Sequence, residues 1–278
     1  MDDSRYPPRS QPLRPPDGVQ SLTHLHRVCQ LHGVRAVRAV HTVSYYGYDN
    51  AYLAAVTANN TDWVSGVCCL DPDEPDSPSV LKRFLDSGSA HSLRSIPSRE
   101  RGSFEAPGVS RLWDICAETG ASVDLFLMDP ALTPSARTLL RRYSAVAVAL
   151  DHCMDLKRGP QYPEVLAQVL SLAEYPNLVA KVDFVSTGTQ TGYPGADLTE
   201  AMLQIVEVFG AERCVWGSNF PNALWTPRMT YTDHLRLFTE ALPLTPEARR
   251  LVLGETARRL WFPWLDPSDT ELTAPPRD

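Results

Sequence analysis

The sequence predicts an α/β fold, a (β/α)8 TIM-barrel-like domain in which seven strands are recognisable and the first is missing. Three observations carry this reading. Strand-like and helix-like segments alternate about every 30 residues, the signature of parallel β/α units. The 278 residues approximate the ~250 that such a barrel typically takes. No Gly-rich phosphate turn follows an early strand, which counts against a doubly wound open sheet.

The elements follow in order. Residues 1–20 hold Pro7, Pro8, Pro12, Pro15 and Pro16. Proline lacks the N–H of a central strand, so an extended, irregular arm is expected there. Residues 21–31 read as a helix capped by Ser21 and stopped at Gly33. Residues 34–43 read as a strand, 49–58 as a helix and 63–70 as a strand. A helix over 78–86 has Ser77 as its cap and Pro78 at its first position. Strands are expected over 92–96, 122–128, 145–150, 178–185 and 214–217, with helices over 109–119, 133–143, 163–174 and 198–209 between them. Two helices, 231–241 and 246–260, complete one barrel domain over 21–263, followed by a polar tail over 264–278.

Composition excludes several classes. Apolar content is 43% and net charge -7, so the chain is not disordered as a whole. No run approaches the ~20 apolar residues of a membrane span. The start has no apolar segment of the signal-peptide kind. With 33 acids against 26 bases and no long Lys/Arg run, nucleic acid is not an expected partner. The six cysteines form no C-x-x-C pair and mostly sit in apolar runs, as reduced core thiols of a cytoplasmic protein do.

In a barrel of this kind, chemistry sits at the C-terminal ends of the strands. Those ends read His41-Thr-Val-Ser-Tyr-Tyr-Gly-Tyr-Asp-Asn50, Leu70-Asp71-Pro72, Arg94-Ser-Ile-Pro97, Phe126-Leu-Met-Asp129, Asp151-His-Cys153, Asp183-Phe-Val-Ser186 and Gly217-Ser-Asn-Phe-Pro-Asn222. His152 follows a strand of buried type and is a candidate for proton transfer, the alternative being a core histidine bonded to a backbone carbonyl. Arg94 offers a carboxylate clamp or a salt bridge that closes the barrel end. Tyr45, Tyr46 and Tyr48 surround a turn from which one lines the pocket or stabilises an oxyanion. Lys181 lies in a buried strand and calls for a partner, Asp183 or Asp151. Asp183 is a candidate acid or base. Asn219 and Asn222 make a polar, uncharged strand end that orients a ligand, and His41 is balanced between structure and function.

Other residues carry blander readings. Asp49 and Asn50 are expected to cap the helix after them. His24 and His26 mimic a chelating pair, but in a helix positions i and i+2 point about 200° apart and cannot share a metal. His91 and His234 are read as surface residues. Trp225, Arg228 and Tyr231 either cover the barrel mouth or form a peripheral aromatic cluster. Cys153 is discounted as a nucleophile, because adjacent strand residues face opposite sides.

Taken in order, these segments resemble the amidohydrolase-related family, which includes aminocarboxymuconate semialdehyde decarboxylase, resorcylate-type decarboxylases and lactonases such as 2-pyrone-4,6-dicarboxylate hydrolase. The lactonase branch is the nearer match. Tyr46-Gly47-x-Asp49-Asn50 resembles its Y-G-x-D-N turn, and Arg94 sits where that branch has an arginine. Leu150-Asp151-His152-Cys153 resembles I-D-H-M, Asn177-Leu-Val-Ala-Lys181-Val-Asp183 resembles N-V-x-V-K-L-S, and Val215-Trp216-Gly217-Ser218-Asn219-Phe220-Pro221 resembles M-W-G-S-D-F-P. Leu253 to Leu260 resembles the terminal G-N-A-x-R-L-F helix, so the likeness runs over about 6–263.

The resemblance implies hydrolysis of a lactone-like or other activated carbonyl, or a decarboxylation. His152 matches a family histidine that binds metal or polarises the substrate carbonyl. Two departures bear on this. The family's first strand carries His-x-His, and this chain begins where the family is leaving that strand, so either Met1 is internal to a longer chain or the strand is lost. The family also has Asp where this chain has Asn219, and an amide has no basic lone pair with which to activate water. The expectation is therefore no cofactor for the chain as given, with a divalent metal such as zinc if an upstream His-x-His exists. A small carboxylate or lactone is the expected partner, with a homodimer open and neither nucleic acid nor membrane. A metal-free relative that binds a small acid or promotes a cyclisation is the competing reading, and a non-catalytic barrel is a third.

Overall fold

The structure, a computed structural model, describes residues 5–9, 20–226 and 228–266. The expected arm over 1–20 and tail over 264–278 lie largely outside the described residues. Seven strands alternate with helices among those residues. The described residues form two compact units, one built mainly from residues 36–151 and the other mainly from residues 152–173 and 179–266.

The first unit holds five parallel strands, β1 (Val37–Val40), β2 (Val64–Cys69), β3 (Ser92–Ser95), β4 (Ser122–Leu125) and β5 (Val148–Leu150), paired in chain order. Right-handed β/α crossovers give this order directly. Strand β2 is buried along its whole length, as its run Val-Ser-Gly-Val-Cys-Cys implies for a strand covered on both faces. The helix Ala51–Ala58 lies close on it. A Cβ at Gly66 would come within 2.2 Å of Thr57 Oγ1, so only glycine admits that approach. Asn50 fastens the two elements: its side-chain amide donates to the Cys69 carbonyl at 2.9 Å and accepts from the Cys69 N–H at 3.0 Å. The helix Pro107–Thr119 buries Trp113, whose indole N–H donates to Ser95 Oγ on β3 at 2.9 Å.

The second unit holds most of β6 (Leu178–Lys181) and all of β7 (Cys214–Val215), which pair in parallel with Lys181 opposite Val215. The helix Thr199–Phe209 presents Ala201, Met202, Ile205 and Phe209 to the interior, an i, i+4, i+8 apolar face. The helix Tyr231–Arg236 opens with a capping box between Thr230 and Asp233 and continues into a π-helical turn, Leu237–Ala241.

Several boundaries differ from expectation. The strand expected over 34–43 is confined to β1, and Val43–Tyr46 turns into a short helix. The strand expected over 178–185 ends at Lys181, and Phe184–Gly188 is helical. Ser77 lies inside its helix and not at the cap, its hydroxyl donating to the Asp71 carbonyl at 2.6 Å.

Candidate functional site

In the second unit two of the expected residues, His152 and Lys181, meet the carboxylate of a third, Asp183, and a fourth, Asn219, holds its backbone. Asp183 follows β6 and is fully buried. His152 Nδ1 lies 3.1 Å from its Oδ1, and Lys181 Nζ lies 3.6 Å from its Oδ2. Room for this pairing comes from the facing strand end: a Cβ at Gly217 would meet Asp183 Oδ2 at 2.9 Å and Lys181 Cε at 3.3 Å. Asn219, with φ of +53°, donates its Nδ2 to the Asp183 carbonyl at 2.9 Å and to Ser186 Oγ at 3.1 Å. Toward an ionised carboxylate, which only accepts, the Nδ1 of His152 is the donor. The His152 side chain keeps 20% of its exposure, whereas Asp183 keeps none.

The backbone that carries His152 is unusual. His152, Cys153, Met154 and Asp155 have φ of 53°, 44°, 62° and 54°, one turn of left-handed helix without a glycine. Each such residue costs roughly 1–2 kcal/mol against the right-handed form. Strain of this kind persists only where the surroundings over-determine it, and it concentrates at functional sites. Cys153 is buried and its thiol points to the Lys181 carbonyl at 3.4 Å, in keeping with a structural role.

In the first unit a ladder of alternating charge crosses the strands. Arg94 Nε donates to Asp151 Oδ2 at 2.8 Å, and the Asp151 side chain is fully buried. Arg38 on β1 forms a buried ion pair with Asp124 on β4 and donates to Ser122 Oγ at 3.1 Å. Arg94 and Asp124 are register partners. Burial opposes the Arg94 charge, but Asp151 and Asp124 outweigh it and raise its pKa above the ordinary value. The Asp151 bond uses only Nε. The two Nη groups have no hydrogen-bond partner among the described residues, and the guanidinium lies over the Phe126 ring at 4.9 Å. The ion pair, one of the two readings of Arg94, is present.

The tyrosines divide. Tyr45 and Tyr46 are core residues, 2% and 5% exposed, packed edge to face with centroids 4.8 Å apart. Tyr48 has a buried hydroxyl without a hydrogen-bond partner and carries the Arg99 guanidinium over its ring at 5.1 Å. Burial and then the Asp71 charge push the Tyr48 pKa up to about 12. His41 is buried, with Nε2 2.7 Å from the Gly47 carbonyl oxygen, and burial pulls its pKa below the ordinary value. That is a histidine bonded to its own loop. Asn222 donates to the Ser218 carbonyl at 2.8 Å, while its buried Oδ1 has no hydrogen-bond partner.

Other expectations need correction. His234, read as a surface residue, is fully buried, because the Tyr231, His234, Leu235 and Phe238 spacing puts it on the inner face of its helix. His91 is half-buried, its Nδ1 accepting from the Gly66 N–H at 3.3 Å. Asp49 caps the helix after it through the Ala51 N–H at 3.1 Å, but Asn50 makes no cap bond and instead ties down Cys69. Trp225 is 41% exposed whereas Tyr231 is buried, so they form no common cover. The six cysteines are free and buried. No helix among the described residues is long and apolar enough to cross a membrane.

A divalent cation would need several uncommitted anionic or imidazole donors at one point. Asp183 already serves His152 and Lys181, and Asn219 turns its amide N–H, not an anionic oxygen, inward. No group of three or more His, Cys, Asp and Glu side chains able to hold a metal occurs among the described residues. These residues do not fit a divalent ion.

Comparison with known proteins adds the following. The family model Amidohydro_2, described as Amidohydrolase, matches residues 5–262. No curated protein matches. An amidohydrolase of Burkholderia multivorans, solved with zinc bound, is 20% identical over 86% of this chain and 87% of its own, with a TM-score of 0.71. A structure from Acinetobacter baumannii bearing the name probable 2-pyrone-4,6-dicarboxylic acid hydrolase, with citric acid bound, is 16% identical over 92% of this chain and 94% of its own, with a TM-score of 0.73. A 2,6-dihydroxybenzoate decarboxylase from Rhizobium is 13% identical over 86% and 88%, with a TM-score of 0.60. These likenesses establish the TIM-barrel-like fold.

Proposed function

This chain belongs to the amidohydrolase family, and from that premise we propose that it is an enzyme acting on a small carboxylated or lactone-like substrate, with His152 as the proton-transfer group and Asp183 as its orienting partner. The observation that carries the reading is the 3.1 Å contact of His152 Nδ1 with the buried Asp183 carboxylate, supported by Lys181 at 3.6 Å. A histidine locked in one tautomer by a carboxylate presents its other nitrogen as a base toward water and later as an acid toward the leaving oxygen. Lys181 sets a positive charge beside the same carboxylate. Within the first unit, taken by itself, the Nη edge of Arg94 is a proposed binding group for a carboxylate, since a guanidinium fork matches two oxygens at once. In the same unit the Tyr48 hydroxyl is a proposed hydrogen-bond donor to a ligand oxygen.

One observation favours a second reading. Asn219 carries an amide, so a site that binds a small acid or promotes a cyclisation by shape and hydrogen bonds alone needs no water-activating base at that position.

Product analysis separates the two. The full chain is incubated with a panel of lactone carboxylates and hydroxylated aromatic acids. Ring-opened acid identifies hydrolysis and released carbon dioxide identifies decarboxylation, and either is expected to fall about 10²–10⁴-fold in His152→Gln. Saturable binding without turnover across the panel supports the second reading. Neither binding nor turnover overturns both.

A further inference from the structure

Lysine is rare in this chain. Of its 26 basic residues three are lysines, Lys82, Lys157 and Lys181, and the rest are arginines. Lys82 and Lys157 have exposed side chains and pair with the neighbouring Asp86 and Asp155. Lys181 differs from both. It ends β6, its side chain is only 14% exposed, and its ammonium faces the fully buried Asp183 carboxylate.

Charge balance alone does not call for a lysine there. The buried carboxylates of Asp124 and Asp151 are each paired with an arginine, Arg38 and Arg94. A guanidinium suits that task better, since it is planar, weakly hydrated and permanently charged. An amine does what a guanidinium does not: it gives up a proton and attacks a carbon. The geometry provides for both events. Lys181 Nζ lies 3.6 Å from Asp183 Oδ2, close enough for proton transfer after a small movement. Asp183 Oδ1 meets His152 Nδ1 at 3.1 Å, so amine and imidazole share one carboxylate. The facing residue, Gly217, leaves the lysine stem clear, since a Cβ there would lie 3.3 Å from Lys181 Cε. Neither the Lys181 nor the His152 side chain is sealed from solvent.

We propose that Lys181 is a catalytic amine that forms an imine with the keto group of a small β-keto acid and so serves its decarboxylation, an assignment that rests on the reading of His152 as the proton-transfer group. The ammonium passes its proton to Asp183 and the amine attacks the keto carbon. A C–N bond forms, and the C–O bond of the carbinolamine breaks with loss of water. The C–C bond to the carboxylate then breaks: carbon dioxide leaves, and its electron pair moves toward the iminium nitrogen to give an enamine. The enamine carbon takes a proton from His152, and water releases the ketone and restores the amine. Nothing is oxidised or reduced, and each turnover consumes a proton.

Reductive trapping tests this on the unaltered chain. The full chain is incubated with acetoacetate and sodium cyanoborohydride and digested, and the adduct on each lysine is quantified by mass spectrometry. Lys181 is expected to be alkylated roughly 10²-fold faster than Lys82 and Lys157, the gain that neighbouring acid and base groups give. Alkylation of Lys181 no faster than that of the two surface lysines overturns the proposal. Lys181→Arg keeps a positive charge beside Asp183 and removes the nucleophile, so release of carbon dioxide from acetoacetate is expected to fall to the uncatalysed rate. A folded Lys181→Arg chain that releases it as fast as wild type overturns the proposal as well. If that variant does not fold, trapping in the wild-type chain decides alone. Turnover of lactones on the panel without selective trapping at Lys181 removes the amine and leaves the proposed activity. Selective trapping in a chain that turns over neither acetoacetate nor the panel leaves the amine and removes the activity.

Discussion

The side chain of Asn219 donates to the backbone oxygen of Asp183 at 2.9 Å. The same amide nitrogen donates to Ser186 Oγ at 3.1 Å, and that hydroxyl has already spent its own proton on the Asp183 carbonyl at 3.0 Å. The position therefore asks for a donor. An aspartate there would set a carboxylate oxygen against a carbonyl oxygen and a hydroxyl lone pair.

Asn219→Asp is accordingly expected to destabilise the fold by about 1–3 kcal/mol. It is not expected to create a metal site, because Asp183 stays committed to His152 and Lys181. The new carboxyl titrates higher in the folded chain than in the unfolded one, since only its protonated form can donate. The deficit relative to wild type is therefore full above the raised folded-state pKa and shrinks as pH falls from there to the unfolded carboxyl pKa. Urea unfolding of both chains at several pH values measures it.

Arg94→Ala leaves the fully buried Asp151 carboxylate without its ion partner. Losses of this kind are typically about 3–5 kcal/mol. Arg94→Lys restores a charge but not the planar fork, so stability is expected to recover in part while affinity for carboxylated ligands does not. Denaturant midpoints and ligand titration on the same two variants separate the structural edge of Arg94 from its open edge.

Asp183→Asn keeps the shape of the site and removes the charge that orients His152. The expected result is a large fall in kcat with KM little changed, because the imidazole loses its tautomer and not its place. Lys181 then faces an amide, so Lys181→Met in that background should cost less stability than in wild type. A double-mutant cycle reads that difference as a coupling energy.

His234 makes stability depend on acid. Its pKa in the folded chain is about 4 against an ordinary 6.5, so between these values the unfolded chain binds the proton and the folded chain does not. The fold is unpenalised above pH 6.5 and loses up to roughly 3 kcal/mol as pH falls to 4. In His234→Phe this part of the acid sensitivity should vanish, which unfolding midpoints between pH 7 and 4 would reveal.

Much of this was legible in the sequence. Strand β2 and the strand ends at Arg94, His152 and Asp183 could be read because buried-strand runs break at polar residues there. That Lys181 needs a partner, Asp183 or Asp151, followed from the cost of a lone charge in such a strand, and Asp183 is a partner it has. The same reasoning applied to Arg38 and Asp124, each inside an apolar strand, would have found their buried ion pair. His234 escaped because its neighbours Thr232, Asp233 and Arg236 are polar, although its spacing with Tyr231, Leu235 and Phe238 marks an inner helix face. The left-handed turn after β5 left no trace at all, since Cys153 and Met154 are residues that ordinarily avoid it.

That turn carries a lesson for anyone who sets out to improve this protein. Four consecutive non-glycine residues with positive φ, His152 through Asp155, hold an energy comparable with the whole margin by which a domain of ordinary stability stays folded. Selection for heat resistance alone would reach this segment early, since Met154→Gly relieves the backbone at a single step. The gain in thermal tolerance would come from slackening the support under His152. Libraries screened for survival at high temperature are thus expected to enrich glycine here in company with sluggish catalysts, and a screen that scores turnover and tolerance together would keep the strained sequence.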